Sequence, residues 1–442
     1  MSERILVIGQ TPVGRRVCGL LQSSGLDTIH LDEPSDAELR AALSSDVDGI
    51  AVMLHDDIKA LRYSLAAHHI RPGARLFVAM FDRTAREQLR TAVPTSVVLS
   101  PAAISVPSLV AAAIDPRASA IRRKDTQDEK AWVSLTPDGH DISVRVQDYE
   151  VPDVIRKPGR IGKLTGQLRA YDAGTKVLLT GVFGLITIIA LDTIVGLQHA
   201  QFIRALYDAT RTTATISAPA LSDDEPLVLI WATFAALAVL TFTAMFAAGI
   251  VNYLLSGRHV ALIGKRVAPR SGHVVVVGMG QVGLRLAEEL QALGIAVIGI
   301  EVNPQARSLQ IARSKAIPVI VGDAASRATL KAARAEHAQA LIAAGSAEWD
   351  NIAVAVSSLA TAPDTRLVIR AGTGDAIDET RSLFHIGAVV DVNGLTASFV
   401  TSAMTGPAPY AVISDGEADL TIDESGDVTN RLSRSATRCE CH

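Results

Sequence analysis

The sequence predicts two α/β domains, each built on a parallel sheet, that flank a membrane module with two transmembrane helices. Three observations support this prediction: two long apolar runs near the middle of the chain, a strand, glycine turn and helix that follow them, and a similar layout at the N-terminus. The 442 residues are 48% hydrophobic, more than a soluble domain usually needs. The predicted organisation is an N-terminal domain at 1–115, a linker and membrane approach at 116–175, a membrane module at 176–256, a second α/β domain at 272–405 and a tail at 406–442.

The N-terminal domain begins with the strand pattern RILVIG and continues to a second predicted strand that ends at Asp32. Gly9 and Gly14 occupy the first and third positions of a GxGxxG turn, while Thr11 replaces the middle glycine. In such a turn the backbone comes close to a pyrophosphate, and a side chain at Thr11 crowds that place. The sequence therefore favours a Rossmann-like domain with a structural pairing role over one that binds nucleotide.

Two apolar runs, at 177–197 and 227–255, are the candidate membrane spans. At 1.5 Å per residue each can cross a hydrocarbon core of roughly 30 Å. Basic residues flank both runs, which by the positive-inside rule predicts a multi-pass protein of the cytoplasmic membrane with both termini in the cytoplasm. We expect Lys163 and Arg266 to face the cytoplasm and Asp223 to face outside. Asp192, near the outer end of the first span, is expected to reach the headgroup region or water.

The linker before the first span is charged and shows little periodicity, apart from a short hairpin predicted around 130–147. A more specific pattern follows the second span. The apolar strand 274–277 leads into GMGQVG, which has the GxGxxG spacing, and residues 284–293 after it have helical periodicity. A further predicted strand ends at Glu301, where an acid can accept hydrogen bonds from adenosine ribose hydroxyls. The pattern predicts a Rossmann-like dinucleotide-binding domain, and the alternative is a nucleotide fold that has lost its ligand.

Residues 272–405 resemble the RCK domain (regulator of potassium conductance), also called the KTN or TrkA-N-like domain. The resemblance rests on Gly322-Asp323 after the third strand, Asp350-Asn351 at the start of a later helix, and Arg370. It implies a nucleotide- or ion-sensing lobe that dimerises and assembles into a gating ring, with 1–115 as a degenerate RCK-like repeat. The predicted cofactor is NAD(H), with ATP or ADP as alternatives. The predicted binding residues are Gly278, Met279, Gly280, Gln281, Val282, Gly283, Glu301, Gly322 and Asp323.

Two membrane helices followed by an RCK domain resemble prokaryotic two-helix potassium channels, in which a re-entrant pore helix and the filter TVGYGD lie between the helices. Here FIRALYDATRTTAT matches the pore-helix pattern, but Pro219 replaces the second filter glycine and cannot adopt positive φ. Three interpretations stay open: a re-entrant pore with altered selectivity, a nonconducting sensor derived from a channel, or an ordinary loop. The residues under the filter are Thr215, Ile216, Ser217, Ala218 and Pro219.

Charge and motif content exclude other classes of function. A net charge of -4 argues against nucleic-acid binding, and no catalytic motif supports an enzyme. Three cysteines predict no disulfide framework, and the terminal CECH is expected to be a disordered end rather than a soft-metal site. The sequence predicts a nucleotide-regulated, potassium or cation channel-like protein, a homotetramer in contact with lipid and a monovalent cation. The alternative is a nonconducting nucleotide-responsive membrane regulator.

Overall fold

The computed structural model describes the greater part of the chain. The described residues are 3–123, 132–137, 144–150, 173–197, 201–214, 226–255, 271–371, 387–415, 418–433 and 439. They divide into two units, one formed by 1–163 with 265–442 and the other by 164–264. The predicted pore-like loop at 215–219 and the topology markers Lys163, Asp223 and Arg266 lie outside the described residues, so those expectations stay predictions.

The N-terminal domain is a five-stranded parallel sheet with strand order β2-β1-β3-β4-β5. Both faces of the sheet are covered: Ile5 and Val7 join one core cluster while Leu6 and Ile8 join another, so β1 is apolar at every position but its first. In 3–123 no strand pairs on the outer side of β2. The elements are β1 (Arg4–Ile8), α1 (Pro12–Ser23), β2 (Asp27–Leu31), α2 (Asp36–Ser44), β3 (Gly49–Val52), α3 (Asp57–Ile70), β4 (Arg75–Ala79), α4 (Arg83–Ala92), β5 (Val97–Leu99) and α5 (Pro101–Ile114).

A small antiparallel sheet follows, formed by β6 (Ala120–Arg123), β7 (Trp132–Pro137) and β8 (Val144–Asp148). Strands β7 and β8 form the hairpin that the sequence predicts around 130–147. Four consecutive residues of β7, from Trp132 to Leu135, are buried, so both faces of this strand are covered. The stretch for which the sequence predicts a linker therefore holds a packed sheet as well.

The second unit contains α6 (Ala173–Gly196), α7 (Phe202–Thr213) and α8 (Pro226–Leu255). By length and composition, α6 and α8 can each cross a membrane. Glycines bring these two helices close together: a Cβ at Gly181 would lie 2.7 Å from the Phe246 nitrogen, and one at Gly249 would lie 2.6 Å from the Leu178 Cα. Large apolar side chains such as Phe183 remain exposed, which is unlike the core helix of a soluble domain.

Asp192 has a partner within this unit that the sequence did not reveal. The indole Nε1 of Trp231, near the start of α8, donates a hydrogen bond to Asp192 Oδ1 at 3.2 Å. A tryptophan with its polar edge engaged is typical of a membrane interface, which fits the expected position of Asp192 near a helix end. Helix α7 covers the predicted pore-helix segment and packs on α6, where a Cβ at Gly196 would lie 3.1 Å from the Ala205 Cβ.

The second α/β domain is a six-stranded parallel sheet with the order β11-β10-β9-β12-β13-β14. This is the 3-2-1-4-5-6 order of the Rossmann fold, so its carboxyl edge has a switch point between β9 and β12. The elements are β9 (Val274–Val277), α9 (Gln281–Ala292), β10 (Val297–Glu301), α10 (Arg307–Ser314), β11 (Val319–Val321), α11 (Arg327–Ala332), β12 (Ala340–Ala343), α12 (Glu348–Thr361), β13 (Arg366–Ala371) and β14 (Ala388–Asp391).

The chain after this domain returns to the N-terminal domain. Helix α13 (Val392–Thr405) places Val400 and Met404 in the same core cluster as Val17 and Leu21 of α1. A three-stranded antiparallel sheet follows, and its Ile413 packs in a core cluster shared with β6 to β8. Its strands are β15 (Ala411–Ser414), β16 (Ala418–Ile422) and β17 (Val428–Ser433).

The end of the chain corrects two expectations from the sequence. Cys439 is not part of a free end: it packs against the N-terminal core, and its sulfur is bonded to that of Cys18. The two cysteines are 421 positions apart, so no local pattern indicates that they meet. Their Cα atoms are 5.5 Å apart, within the usual range for a disulfide.

His273, directly before β9, predicts a pH-dependent stability. It is fully buried, its Nε2 donates to the Ala333 carbonyl at 2.9 Å, and burial lowers the pKa of its imidazole from 6.5 to about 4. The unfolded chain takes up this proton near pH 6.5 and the folded chain does so only near pH 4. Stability is therefore fully present above pH 6.5, and about 3 kcal/mol of it is lost as the pH falls through that window.

We expect the melting temperature of the wild type to fall between pH 6.5 and 4.5, and that of His273→Gln to fall less over the same range. Glutamine can still donate to the Ala333 carbonyl but does not titrate there. His69→Gln, at an exposed position of α3, is the control and should keep the wild-type slope. Equal slopes for all three proteins would assign the acid sensitivity to other groups.

Candidate nucleotide-binding site

Two glycines of the GxGxxG turn are required by the fold itself. Gly278, directly after β9, has φ of +81°, and a Cβ there would lie 2.8 Å from the Gly345 Cα. A Cβ at Gly283 would collide with the Gly278 carbonyl oxygen. These positions hold α9 close to the strand, which is the role of the first and third glycines in this turn.

Gly280 differs from both, since a Cβ added there meets nothing within 4 Å. It is the N-cap of α9, and no side chain caps this helix end. The first N–H groups of a helix have no partner within the helix, and the helix dipole makes this end attractive to anions. The turn therefore combines open space with backbone donors, which is what a phosphate group requires.

The other residues of the turn have divided roles. Met279 and Val282 are buried, so they contribute backbone atoms to the turn while their side chains pack in the core. Met279 packs so closely over β10 that a Cβ at Gly299 would lie 2.6 Å from its sulfur. Gln281 is exposed at the start of α9, where its side chain can reach a ligand.

Glu301, for which the sequence predicts a contact with ribose, also holds the turn in place. Its Oε2 accepts a hydrogen bond from the Met279 N–H and its Oε1 accepts one from the Asn303 N–H, both at 3.0 Å. Each carboxylate oxygen has two lone pairs, so capacity remains for ribose hydroxyls. The sequence predicted the contact with ribose but gave no sign of the hydrogen bond to the turn.

Gly322 and Asp323 lie at the same edge of the sheet. The Gly322 N–H donates to the Glu301 carbonyl at 2.9 Å, which ties the end of β11 to the end of β10. Asp323 is exposed, and its Oδ1 accepts the Ala325 N–H at 2.8 Å. The structure therefore brings all the predicted nucleotide-binding residues to the carboxyl edge, at the ends of β9, β10 and β11.

Asn351 and Arg370 organise the far side of this edge. The buried Asn351 amide accepts the Gly345 N–H at 2.9 Å and donates to the Arg370 carbonyl at 2.9 Å. Because Gly345 packs against Gly278, the Asn351 side chain helps to hold the glycine turn in place. The Arg370 guanidinium donates to the Ala344 carbonyl at 3.3 Å, and burial lowers its pKa, although arginine stays charged in proteins. It places a positive charge beside the Ala344 carbonyl, just after the end of β12.

The N-terminal domain repeats the turn with one decisive change. Gly9 has a positive φ of +110°, like Gly278. The Asp32 carboxylate accepts the Gln10 N–H at 3.2 Å, as the Glu301 carboxylate accepts the Met279 N–H. The Thr11 hydroxyl, however, accepts the Gly14 N–H at 3.1 Å and donates to the Met53 carbonyl at 2.7 Å. Thr11 thus fills the open space and takes up a helix donor that a phosphate would need.

Comparison with known proteins agrees with this geometry. Residues 274–390 match the TrkA-N domain family. Potassium channel protein 1 of Methanocaldococcus jannaschii is 23% identical to the chain over 212 residues, which are 45% of this chain and 62% of that protein. The match thus spans less than two thirds of that relative.

Among solved structures, the fold resembles the GsuK RCK domain with a TM-score of 0.51 and 14% identity, over 92% of this chain and 77% of the other. It also resembles the GsuK channel bound to NAD with a TM-score of 0.50 and 15% identity, over 92% and 64% of the two chains. At these identities the structural likeness shows the fold alone. The match of 274–390 to the TrkA-N family and the Rossmann-like sheet confirm the resemblance and the fold that the sequence predicts for this part of the chain, and the similarity to a potassium channel protein agrees with the predicted resemblance.

Proposed function

We propose that this protein is a potassium or monovalent-cation channel-like membrane protein, regulated by an adenine nucleotide that binds to its TrkA-N domain. The open, uncapped turn at Gly280, next to the Glu301 carboxylate, is the observation that carries the nucleotide part of the proposal. The channel part rests on two helices able to cross a membrane and on the relationship to a potassium channel protein. We assign no catalytic step, so the nucleotide acts as a regulator and not as a reactant.

NAD(H) is the proposed nucleotide. Its pyrophosphate would lie at the N-terminus of α9, its adenosine ribose beside Glu301, and Asp323 would lie at the adenine side of the edge. The GsuK channel, which shares the fold, has been solved with NAD bound. ATP and ADP satisfy the phosphate and ribose contacts as well, so they are the alternatives to include in any binding series.

Glu301 predicts a preference for NAD(H) over NADP(H). A 2'-phosphate placed near a carboxylate is repelled, and the carboxylate also loses a hydroxyl donor. We expect the affinity for NADP(H) to be at least about tenfold lower than the affinity for NAD(H), because like charges placed together weaken binding by this much or more. Calorimetric titration of the detergent-purified protein with each dinucleotide measures the difference, and equal affinities would show that Glu301 does not face the ribose.

Ion conduction is the property that separates the main proposal from its alternative. The purified full-length chain is placed in liposomes, and potassium and sodium fluxes are measured with and without NAD(H). A nucleotide-dependent flux supports a regulated channel. Because Pro219 occupies a filter glycine position, we expect weak discrimination between potassium and sodium, and strong potassium preference would contradict that part.

The alternative is a nonconducting, nucleotide-responsive membrane regulator, and the proline at 219 is the observation that favours it. Saturable NAD(H) binding without flux would select this alternative. Under either proposal the two apolar helices lie in the lipid of the cytoplasmic membrane with both chain ends in the cytoplasm. A homotetramer would bring together eight α/β domains, two from each chain, as in the gating rings of the family that the sequence resembles.

A further inference from the structure

A cluster of three side chains outside the nucleotide site has the composition of a metal centre. Cys18 on α1, His30 on β2 and Cys439 in the tail place their ligand atoms within 4.8 Å of one another. Cys18 and His30 are buried and Cys439 is partly buried. Two thiolates and an imidazole are the ligands that zinc and similar thiophilic ions prefer in proteins.

Hydrogen bonding fixes which nitrogen of His30 faces the sulfurs. Its Nε2 lies 3.0 Å from the Gly9 carbonyl oxygen, which can only accept, so Nε2 carries the proton. In the neutral ring Nδ1 then has a lone pair, and it lies 3.3 Å from the Cys439 sulfur. An imidazole held through its second nitrogen by a backbone carbonyl is the usual arrangement of a metal-ligating histidine.

The bonded sulfur pair alone does not account for this histidine. A sulfur in a disulfide has no S–H, so the Nδ1 lone pair would point at an atom that cannot donate to it. A buried acceptor without a donor costs about 1 to 3 kcal/mol. A metal ion between the two sulfurs and Nδ1 would satisfy all three atoms at once.

We propose that Cys18, His30 and Cys439 form a site for a thiophilic divalent metal ion, with zinc as the natural occupant, when the cysteines are reduced. A dithiol reductant supplies the two electrons and two protons that convert the bonded sulfurs into two thiols, and is itself oxidised to a cyclic disulfide. Metal binding then displaces both thiol protons and forms two metal–sulfur bonds and one metal–nitrogen bond. The fourth position of a tetrahedral ion remains for water or another ligand.

The metal would fasten the end of the chain to the N-terminal domain. Cys18 lies on the helix that follows the Gly9 turn, and the His30 ring donates a hydrogen bond to the Gly9 carbonyl. The site therefore joins the tail to the part of the N-terminal domain that corresponds to the nucleotide turn of the TrkA-N domain. Oxidation to the Cys18–Cys439 disulfide keeps this connection but releases the ion.

Cobalt titration tests the proposal, since cobalt(II) reports thiolate ligation by a charge-transfer absorption. Full-length protein in detergent is reduced with a dithiol under nitrogen, freed of reductant and titrated with Co²⁺ and then Zn²⁺. We expect about one cobalt per chain, a thiolate charge-transfer band, and loss of that band when zinc displaces cobalt. Cys439→Ser and His30→Gln should each weaken cobalt binding by more than about 100-fold, beyond the usual loss for an outer partner.

His69→Gln, on the exposed surface of α3, is the matched control and should bind cobalt like the wild type. If a ligand variant does not fold, alkylation of the wild type decides: zinc should protect Cys18 and Cys439 from modification, as mapped by mass spectrometry. The proposal is overturned if the reduced wild type gives no thiolate band, if Cys439→Ser binds cobalt unchanged, or if zinc leaves both cysteines open to alkylation.

Discussion

Gly280→Val is expected to weaken NAD(H) binding by roughly 10- to 100-fold, the effect of about 1–3 kcal/mol of overpacking, while leaving the melting temperature unchanged. The physical reason is that an added Cβ at position 280 meets no protein atom within 4 Å. The Cβ of a valine there meets no neighbour, but the side chain occupies the space into which a phosphate would come. Calorimetry gives the affinity, and a thermal melt of the same sample gives the fold.

Gly73→Val is the matched control for this variant. Gly73 is exposed in the loop before β4, and a Cβ there also meets nothing within 4 Å. It lies in the N-terminal domain, so we expect neither the affinity nor the melting temperature to change. Loss of NAD(H) binding in both variants would indicate a general effect, and full binding in Gly280→Val would remove the phosphate from this turn.

The structure changes the comparison that sequence alone suggests for the N-terminal domain. Gly9 invites a valine substitution as the counterpart of Gly280, but it corresponds to Gly278: a Cβ at Gly9 would lie 2.6 Å from the Met53 carbonyl oxygen. Gly9→Val would therefore strain the fold, and its effect on binding could not be interpreted. Thr11→Val is the informative variant, because it keeps the space filled, and we expect NAD(H) affinity for the protein to stay unchanged.

Local patterns were sufficient for the parts of the fold that repeat along the chain. Fully apolar strands such as 274–277 and the spacing of Gly278, Gly280 and Gly283 identify a strand, a turn and a helix whose geometry is determined over a few residues. The acid at Glu301 could be found from its position after the next strand. What the pattern could not show is that this carboxylate holds the turn through the Met279 N–H, since that contact depends on sheet register.

Contacts between distant segments account for what the sequence did not reveal. The Asp192–Trp231 hydrogen bond depends on the packing of α6 and α8, and the Cys18–Cys439 contact joins α1 to a residue 421 positions later in the chain. Neither residue pair has a spacing or motif that distinguishes it from unrelated residues. The same is true of the ion pair between the two α/β domains, which no charge pattern in the sequence indicates.

Arg16 and Asp391 form this ion pair, and its removal is expected to have the largest effect on stability of any single substitution considered for this protein. The Arg16 Nη1 lies 2.7 Å from Asp391 Oδ2, and their side chains are only 10% and 1% exposed. Asp391 also caps α13, because its Oδ1 accepts the Gly394 N–H at 2.7 Å. The pair thus connects α1 of the N-terminal domain to the end of the last strand of the Rossmann-like sheet.

Arg16→Met should destabilise the protein by about 3–5 kcal/mol, because it leaves the Asp391 carboxylate buried without its cation. The matched control is Arg62→Met, which breaks the Arg62–Asp36 pair at the same 2.7 Å distance but with side chains that are 61% and 71% exposed. An exposed pair contributes about 0–1 kcal/mol, so that variant should melt close to the wild type. The melting temperature of Arg16→Met should fall by on the order of 10 °C in the same detergent.

The double variant Arg16→Met with Asp391→Asn separates the buried charge from the lost contact. Asparagine can still accept the Gly394 N–H, and it removes the unpaired negative charge that Arg16→Met leaves behind. We therefore expect the double variant to melt at a higher temperature than Arg16→Met alone, with a favourable coupling between the two sites. The contrary result is a double variant whose melting temperature is lowered by the sum of the two single shifts. The two side chains would then act independently, and apolar packing of α1 against α13 alone would hold the domains together.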